Sequence, residues 1–421
     1  MHIFIQRRYS PKVGASGLTA QLLSTVEALK PLGITADVEA FDGRDLSPYA
    51  LAHIYCLPDT GAALRGLWHA RRARKAVVVT PIYWNLDRFE REGRALVREW
   101  APEIADPANV DAETRALVEE SNALQAQIEK TTLRLVYRSA DLLLPQSEME
   151  GAQLVRDFGV SPDAIRVVHN GVDPTYANGS AERFVQKYGV RDFVLCVGRI
   201  DPRKNQFSLL RALAQDQLPI VLIGGTTSPE YLAACKKIAG PNTLFLSGFD
   251  ASQIADAGAA GRVHALVTWG ETVGLAALEA GIAGCNLVMT TESSAREYLG
   301  EYAWHCDPGD RRAMRDAVLA AYDAPRARAR ELILQNYTWA RAAQESCAAY
   351  AELSASRVNA YDPAADIETL VELHARLLPL QNKYIERLWQ DKTASAAYAQ
   401  RLANGRVMRV LRRLEGLRRA F

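Results

Sequence analysis

An apolar run, a short loop and a helix-forming stretch follow one another between residues 262 and 284, and this order constrains the fold most. Residues 262–269 are apolar enough for a buried strand, and Gly274 precedes an Ala/Leu-rich run that is typical of a helix. Glu271 falls in the loop and Glu279 on the predicted helix, eight positions later. At about 100° per residue, their side chains are roughly 80° apart, on one side of the element.

This strand–loop–helix unit suits a ligand that carries both phosphate and hydroxyl groups. The N-terminus of a helix offers free N–H groups and a partial positive charge, which attract a diphosphate. Ionised carboxylates only accept hydrogen bonds, so they suit the hydroxyls of a sugar or ribose. Together the two features indicate a nucleotide sugar. A packed helix with a solvated acidic face explains this segment equally well and stays open as an alternative.

A second unit of the same kind lies upstream. Residues 194–197 are apolar, Gly198 ends the run, and the loop that follows carries Arg199, Arg203 and Lys204 before a leucine-rich helical pattern. In open parallel sheets, ligands bind at the carboxyl ends of strands, which is where these cations fall. Arg offers a planar fork to a phosphate and Lys a compact charge. For any one cation alone, a solvated loop is the alternative.

Together the two units resemble the donor site of retaining glycosyltransferases of the GT-B fold, family 4. That family has a Gly-Arg…Lys loop, which Gly198, Arg199 and Lys204 match, and a Glu, seven residues, Glu signature, which Glu271 and Glu279 match in spacing. The resemblance covers roughly residues 1–350 and is strongest over 165–310. Shorter segments that resemble the family in the same order are 169–173 (HNGVD), 223–225 (IGG), 246–249 (LSGF) and 307–310 (DPGD).

Two family features are altered in the first half of the chain. Family members usually carry adjacent glycines after the first strand, whereas this chain has Gly14 and Gly17 separated. Members also often place a His after the strand that ends here at Thr80, whereas this chain has Pro-Ile-Tyr-Trp-Asn at 81–85. The aromatic and amide side chains of 81–85 either contact a sugar or belong to the core.

The resemblance implies a role for each matched residue. Arg199 and Lys204 hold the diphosphate and stabilise the leaving group, a large electrostatic task. Glu271 accepts hydrogen bonds from the donor sugar, and these three are the predicted catalytic residues. Glu279 accepts from the ribose, and the backbone amides of 272–275 face the phosphates. The predicted substrate-binding residues are Gly17, Gly198, Thr272, Val273, Gly274, Leu275, Glu279 and Phe249. No protein nucleophile is assigned, and the two glutamates are not a hydrolase pair.

Strand and helix patterns alternate along most of the chain, which predicts an α/β fold with parallel sheets. The resemblance implies GT-B: two Rossmann-like, doubly wound parallel-sheet domains facing a cleft, with a C-terminal helical extension. The predicted parts are an acceptor-side domain 1–178 with a helical insert 86–140, a donor domain 179–336, a crossover helix 337–355 and an extension 356–421. The predicted strands are 2–6, 36–41, 53–57, 76–80, 142–145 and 165–168, then 193–197, 219–223, 243–246, 264–267 and 286–290.

Charge and cysteine usage exclude several classes of protein. Fifty basic and forty-nine acidic residues give a net charge of +1, which disfavours nucleic acid as a partner. The six cysteines show no CxxC pair or metal-like spacing, which is typical of reduced thiols in a cytoplasmic protein. The apolar run at the N-terminus is too short for a signal peptide. We expect no metal, because neither unit contains an Asp-x-Asp motif, and no cofactor besides the nucleotide sugar as co-substrate.

The end of the chain has a charge pattern of its own. Residues 401–421 contain seven Arg and one Glu, a local charge of +6, and their apolar residues share one helical face. A basic amphipathic helix suits an anionic membrane surface, including peripheral contact at the inner membrane face. Docking on the protein itself or self-association explains the pattern equally well.

The sequence therefore predicts a glycosyltransferase that moves a sugar from a nucleotide diphosphate sugar to a glycan or lipid-linked acceptor, in bacterial surface polysaccharide or lipopolysaccharide biosynthesis. The resemblance implies retention of the anomeric configuration. Two alternatives remain: a GT-B epimerase or phosphorylase, and a non-catalytic scaffold that binds sugar nucleotides.

Overall fold

The computed structural model describes residues 1–6, 17–39, 44–55, 60–101, 111–353 and 361–390. The predictions for Gly14, Cys56 and 401–421 lie outside these residues. By its internal contacts the chain divides into a first unit, 1–107 with 136–361, and a second unit, 108–135 with 362–421. The first unit contains both sheets.

The first sheet has five parallel strands in the order β2-β1-β3-β4-β5. Its central strands are almost entirely buried, as expected of a parallel sheet covered on both faces. The strands are β1 His2–Gln6, β2 Thr35–Glu39, β3 Leu51–Tyr55, β4 Ala76–Thr80 and β5 Leu142–Leu143. The strand predicted at 165–168 is wrong: Ile165 makes only an isolated bridge to Leu143, because β5 is two residues long and offers no longer edge to pair with.

The second sheet has six parallel strands in the order β11-β10-β9-β6-β7-β8. The strands are β6 Val194–Val197, β7 Ile220–Ile223, β8 Thr243–Leu246, β9 Val263–Leu266, β10 Asn286–Thr290 and β11 Ala303–Cys306. Five of the six follow the predicted pattern to within one residue. The sequence pattern missed β11, because its four residues, Ala-Trp-His-Cys, form neither an apolar run nor a clear alternation. We call the parts of the first unit built on the two sheets the N-terminal and C-terminal lobes.

The described residues form α-helices in both units. In chain order they are α1 Gly17–Leu29, α2 Thr60–Arg72, α3 Val97–Trp100, α4 Ala112–Ser139, α5 Glu148–Phe158, α6 Ala181–Tyr188, α7 Gln206–Ala212, α8 Pro229–Ile238, α9 Ala251–Ala260, α10 Leu275–Ala283, α11 Ala295–Leu299, α12 Arg311–Asp323, α13 Arg330–Asn336, α14 Trp339–Glu352 and α15 Ala364–Gln390. Thr338 caps α14 by accepting from the backbone N–H of Arg341 at 3.4 Å. Ala343 and Tyr350 of α14 pack in the core of the N-terminal lobe.

The predicted helical insert 86–140 is not one continuous helix. A π-turn at Phe89–Gly93 and a 3-10 turn at Arg94–Leu96 lead into the four-residue α3. The long helix α4 begins only after Asp111. The Asp111 carboxylate caps the helix by accepting from the backbone N–H of Thr114 at 2.9 Å. Gly93 within the first turns lowers helix propensity there, consistent with the irregular start.

In the second unit, leucines of the C-terminal extension pack against α4. Leu373 and Leu377 of α15 are buried against Leu124 and Ile128 of α4. Asp366 of α15 accepts from the Arg134 guanidinium at 2.7 Å.

Candidate functional site

The loop after β6 holds two of the predicted cations in defined positions. Asp201 caps the 3-10 turn Pro202–Lys204 by accepting from the backbone N–H of Lys204 at 3.1 Å. Gly224 is needed beside this loop, because a Cβ there would lie 2.0 Å from the carbonyl oxygen of Gly198. The Arg199 side chain is 56% exposed and lies 3.4 Å from the Asp201 carboxylate, so it remains accessible to a ligand.

The loop after β9 is bound directly to the loop after β6. The Arg203 guanidinium donates to the carbonyl of Gly270 at 2.6 Å, and the backbone N–H of Trp269 donates to the carbonyl of Arg203 at 2.8 Å. The Lys204 ammonium donates to the Glu271 carboxylate. The two sequence segments that carry the resemblance therefore meet, as an ion pair with both side chains mostly buried.

The Lys204–Glu271 pair determines the charge of this part of the site. Burial raises the pKa of the Glu271 carboxyl, but the charges of Lys204 and Arg203 and the hydrogen bond from Lys204 outweigh it, so the pKa is lowered. Glu271 is therefore ionised at neutral pH. An ammonium has three donors, so Lys204 retains donors for a second anion while it holds Glu271.

The residues between the two glutamates open helix α10. Gly274 has φ +79°, a left-handed conformation that favours glycine, and a Cβ there would lie 2.3 Å from the Leu266 side chain. No side chain caps this N-terminus. The carbonyl of Thr272 accepts from the backbone N–H of Ser294 at 2.8 Å, which fixes the turn before the helix. Val273 is buried, and Leu275 is the first residue of the helix. The amide of Ala277 donates to the carbonyl of Gly274 at 2.9 Å, so the amides at the very start of α10 are the ones suited to an anion.

Glu279 has a different partner from Glu271. It lies on α10 and accepts a hydrogen bond from the Tyr176 hydroxyl, in the 3-10 turn Pro174–Asn178. Burial raises the pKa of the Glu279 carboxyl to about 7, although the hydrogen bond from Tyr176 lowers it in part. Burial, followed by the charge of Glu279, raises the pKa of Tyr176 in turn. Sequence analysis assigns no role to Tyr176, and its position just after the HNGVD segment is the only signal that could have identified it.

Two predicted substrate-binding residues lie away from this pair of loops in sequence. Gly17 is the first residue of α1. Phe249 is partly buried against the core of the C-terminal lobe, and its ring stacks on that of Tyr188 at 5.7 Å. Packing alone accounts for Phe249, so its contact with a nucleotide base stays a prediction.

The segment after β4, where the family often has a His, is held by internal hydrogen bonds. The Tyr83 hydroxyl and the Asn85 amide both donate to Asp157 of α5, at 2.9 and 3.0 Å. The backbone N–H of Tyr83 donates at 2.6 Å to Glu150, a fully buried carboxyl whose pKa burial raises to about 7. These contacts favour the structural interpretation of Tyr83 and Asn85 over the sugar-binding one.

Residues 84–100, which we call the strap, connect the N-terminal lobe to the loop that precedes Glu271. The Leu86 and Trp84 side chains cover Gly270 so closely that a Cβ there would lie 2.4 and 3.0 Å from them. A Cβ at Gly93 would likewise lie 3.1 Å from the Trp269 ring. The first residues of the predicted insert therefore contact the C-terminal lobe.

Ion pairs fasten the strap. The Arg88 guanidinium donates to Glu292 at 2.9 Å and to Asp307 at 2.8 Å, both in the C-terminal lobe, and lies over the ring of Trp269 at 5.6 Å. Nearer the end of the strap, Glu99 accepts from Arg311. No local sequence signal identifies these contacts, because each joins residues more than 170 positions apart.

The described residues show neither a metal-binding cluster nor a membrane-spanning helix. They contain no group of three or more His, Cys, Asp or Glu side chains that could hold a metal ion. Among the same residues, no helix is both long and apolar enough to cross a membrane. The five described cysteines are free thiols.

Comparison with solved structures defines the class of fold. Sucrose-phosphate synthase from Thermosynechococcus elongatus superposes with a TM-score of 0.65 over 85% of this chain and 100% of its own, at 15% identity. An Anabaena protein, Alr3699/HepE, solved with UDP and glucose, superposes with a TM-score of 0.60 over 84% of this chain and 100% of its own, at 17% identity. The fold is GT-B.

Family models then identify the chain itself. Residues 61–176 match the model described as Glycosyltransferase Family 4, and residues 180–337 match Glycosyl transferases group 1. Only residues 177–179 lie between the two matches. The chain belongs to the family 4, group 1 glycosyltransferases.

Curated relatives match parts of the chain. A Campylobacter jejuni N-acetylgalactosaminyltransferase, whose name states that it acts on a diphospho-undecaprenol glycan, is 32% identical over 31% of this chain and 36% of its own. A D-inositol 3-phosphate glycosyltransferase of Kribbella flavida is 31% identical over 36% of this chain and 41% of its own. The chain thus spans well under half the length of these two relatives. The corresponding Nocardioides enzyme is 25% identical over 66% of this chain and 68% of its own.

Proposed function

We propose that this protein transfers a sugar, with retention of anomeric configuration, from a nucleotide diphosphate sugar to a glycan or lipid-linked acceptor. The setting that we propose is bacterial surface polysaccharide or lipopolysaccharide biosynthesis, in the cytoplasm and in peripheral contact with the inner membrane face. The donor is the co-substrate, and neither a metal ion nor a further cofactor takes part.

The observation that carries this proposal is the contact between Lys204 and Glu271. It brings a cation, an ionised carboxylate and the uncapped N-terminus of α10 together in the loops that follow two neighbouring strands, β6 and β9. A diphosphate needs the first and the third of these, and a sugar hydroxyl needs the second. The exposed Arg199 adds a second cation on the same loop as Lys204.

The chemistry of leaving-group departure follows from the same residues. When the bond between the anomeric carbon and the diphosphate breaks, negative charge accumulates on the departing phosphate oxygen. Lys204 and Arg199 stabilise that charge more in the transition state than in the bound donor, which is the condition for rate acceleration. Glu271 orients the sugar by accepting from its hydroxyls.

Glu279 binds the nucleotide in this proposal. A ribose has two neighbouring hydroxyl donors, and a carboxylate can accept from both. Tyr176 already donates to Glu279 and fixes its orientation before the ligand arrives. Such an arrangement reduces the entropy lost when the ribose binds.

We infer the acceptor class from a relative of this chain rather than from a contact within it. The Campylobacter jejuni relative acts, by its name, on a glycan attached to diphospho-undecaprenol and forms an alpha linkage. A lipid-linked glycan is therefore the first acceptor class to test.

The test is release of nucleotide from a panel of nucleotide sugars, measured with and without lipid-linked glycans. Transfer predicts release that depends on an acceptor, and nuclear magnetic resonance of the product then gives its anomeric configuration. Release that needs inorganic phosphate would reveal a phosphorylase. Conversion of the donor without an acceptor would reveal an epimerase, and binding without turnover on any acceptor would leave a scaffold.

A further inference from the structure

One face of α2, outside the site described above, is both aromatic and basic. The Trp68 side chain is 60% exposed. Arg65 lies three positions before it and Arg72 four positions after it, and both are exposed. Spacings of three and four place all three side chains on the same side of a helix. We call these three residues the α2 face.

The opposite side of α2 explains why the α2 face is turned outwards. The small and apolar residues of the helix are buried against the first sheet: Ala62, Ala63, Gly66, Leu67 and Ala70. Gly66 lies so close to the Gln6 side chain that a Cβ would overlap it. The helix is thus fixed in rotation, and Trp68 cannot turn into the core.

The charges around the α2 face are not neutralised locally. Residues 60–75 contain four Arg, one Lys and no Asp or Glu. Two of these cations make contacts that stabilise the fold. Arg71 pairs with Asp141, and Lys75 donates to the carbonyls of Ser47 and Tyr49. Arg65 and Arg72 have no ion pair among the described residues. The pKa of His69 is lowered by burial and by the charges of these two arginines.

We propose that the α2 face rests on an anionic phospholipid surface. An exposed Trp prefers the boundary between headgroups and acyl chains, and arginines on either side of it can pair with lipid phosphates while their stems lie along the apolar boundary. A second copy of the α2 face is a poor occupant, because the arginines would meet like charges. The proposed function includes peripheral contact with a membrane, and this proposal assigns that contact to the α2 face. It rests on the proposed function only for that membrane contact.

The experiment is sedimentation of the full-length protein with vesicles of phosphatidylcholine alone and with phosphatidylglycerol added. We expect salt-sensitive binding to the anionic vesicles only. Each arginine near such a surface contributes about fivefold, so Arg65→Gln with Arg72→Gln should weaken binding about 25-fold. Trp68→Ala should weaken binding roughly tenfold through lost apolar burial.

Two exposed residues elsewhere provide matched controls. Tyr302→Ala removes an aromatic side chain that is 41% exposed, and Arg312→Gln removes an arginine whose side chain is 92% exposed. Both should bind vesicles as the wild type does, and thermal unfolding should show that all variants are folded.

Residues 401–421 are intact in every variant, so they cannot produce a difference between variants. Binding that is equal in the wild type and both α2 variants, or no preference for anionic vesicles, would overturn the proposal. So would a change of oligomeric state in the α2 variants, because it would assign the α2 face to a second copy. Thermal stabilisation by nucleotide sugars, measured without vesicles, tests the proposed function separately. If it persists while vesicle binding fails, only the proposal about the α2 face is overturned.

Discussion

Glu271 and Glu279 lie eight residues apart in one strand–loop–helix unit, yet their environments shift their pKa values in opposite directions. Both carboxyls are desolvated, which favours the neutral form. At Glu271 the charges of Lys204 and Arg203 outweigh desolvation and the pKa is lowered, whereas at Glu279 one hydrogen bond from Tyr176 does not, and the pKa is raised to about 7. The partner that each carboxyl meets, rather than the spacing of the pair, therefore determines its charge.

The difference matches the tasks that we propose for the two residues. Glu271 must stay ionised beside a cation that also binds the diphosphate, so that positive charge next to the leaving group is held in place. Glu279 only needs to accept hydrogen bonds from neutral hydroxyls, and a carboxyl near its pKa can lose its proton when two donors arrive. Four substitutions test this comparison.

The largest effect is expected for Lys204→Ala. The variant removes the cation that lowers the pKa of Glu271, so that both glutamates should then have raised pKa values. Turnover should fall about 10³-fold, since one group that stabilises transition-state charge contributes 10²–10³-fold and the neighbouring carboxylate loses its partner. Steady-state kinetics measures it, with Lys237→Ala, an exposed lysine on α8, as the control that keeps wild-type rates. Equal rates in the two variants would contradict the assignment.

Arg88→Gln tests whether the strap is fastened to the C-terminal lobe that carries both glutamates. It removes two ion pairs to the C-terminal lobe and the contact with Trp269, so we expect the free energy of unfolding to fall by about 2 kcal/mol. Chemical denaturation measures the change. Arg94→Gln is the control within the strap, because its side chain is 61% exposed and pairs only locally with Glu90; it should change stability by less than about 0.5 kcal/mol. Similar losses in both variants would show that the strap is not fastened at Arg88.

Glu279→Gln tests the raised pKa directly. A carboxyl with a pKa of about 7 in the folded state and about 4.5 when unfolded contributes stability that is complete below pH 4.5 and lost as pH rises through 7. Between pH 5 and 8 the wild type should therefore lose about 2 kcal/mol more than the variant. Glu150, whose pKa burial also raises to about 7, contributes equally to both proteins and cancels in the difference. Parallel stability curves across this range would remove the assignment.

The smallest effect is expected for Tyr176→Phe. The variant loses only the hydroxyl that donates to Glu279, so the pKa of Glu279 should rise further. Nucleotide binding should weaken by about 1 kcal/mol, or roughly fivefold, as for one neutral hydrogen bond. Isothermal titration with the nucleotide measures it, and Tyr188→Phe in the same lobe is the control. A loss as large as that of Lys204→Ala would mean that Tyr176 contacts the ligand's phosphates itself.

The sequence predicted the local parts of this site well. Continuous apolar runs placed five of the six strands of the second sheet, and Gly198 and Gly274 marked where β6 ends and α10 begins. These features depend on neighbours in the chain, so a pattern of a few residues is enough to reveal them. The family resemblance likewise depended on short runs.

The contacts that distinguish the two glutamates were not predictable in the same way. Tyr176 meets Glu279 across about a hundred residues, and Arg88 meets Asp307 across about two hundred. Neither residue belongs to a periodic pattern or a motif. The contacts of the strap could not be predicted for the same reason, because helical spacing in the long insert says nothing about which lobe its first turns contact.

The most direct test of the central claim, that the loop cations and the acidic pair form one donor site, is thermal unfolding with a panel of nucleotide sugars. The account predicts that at least one donor stabilises the wild type, by about 2.7 kcal/mol at a hundred times its dissociation constant. It also predicts that this stabilisation is lost in Lys204→Ala and kept in Lys237→Ala. Equal stabilisation of both variants, or none of the wild type by any nucleotide sugar, would contradict it.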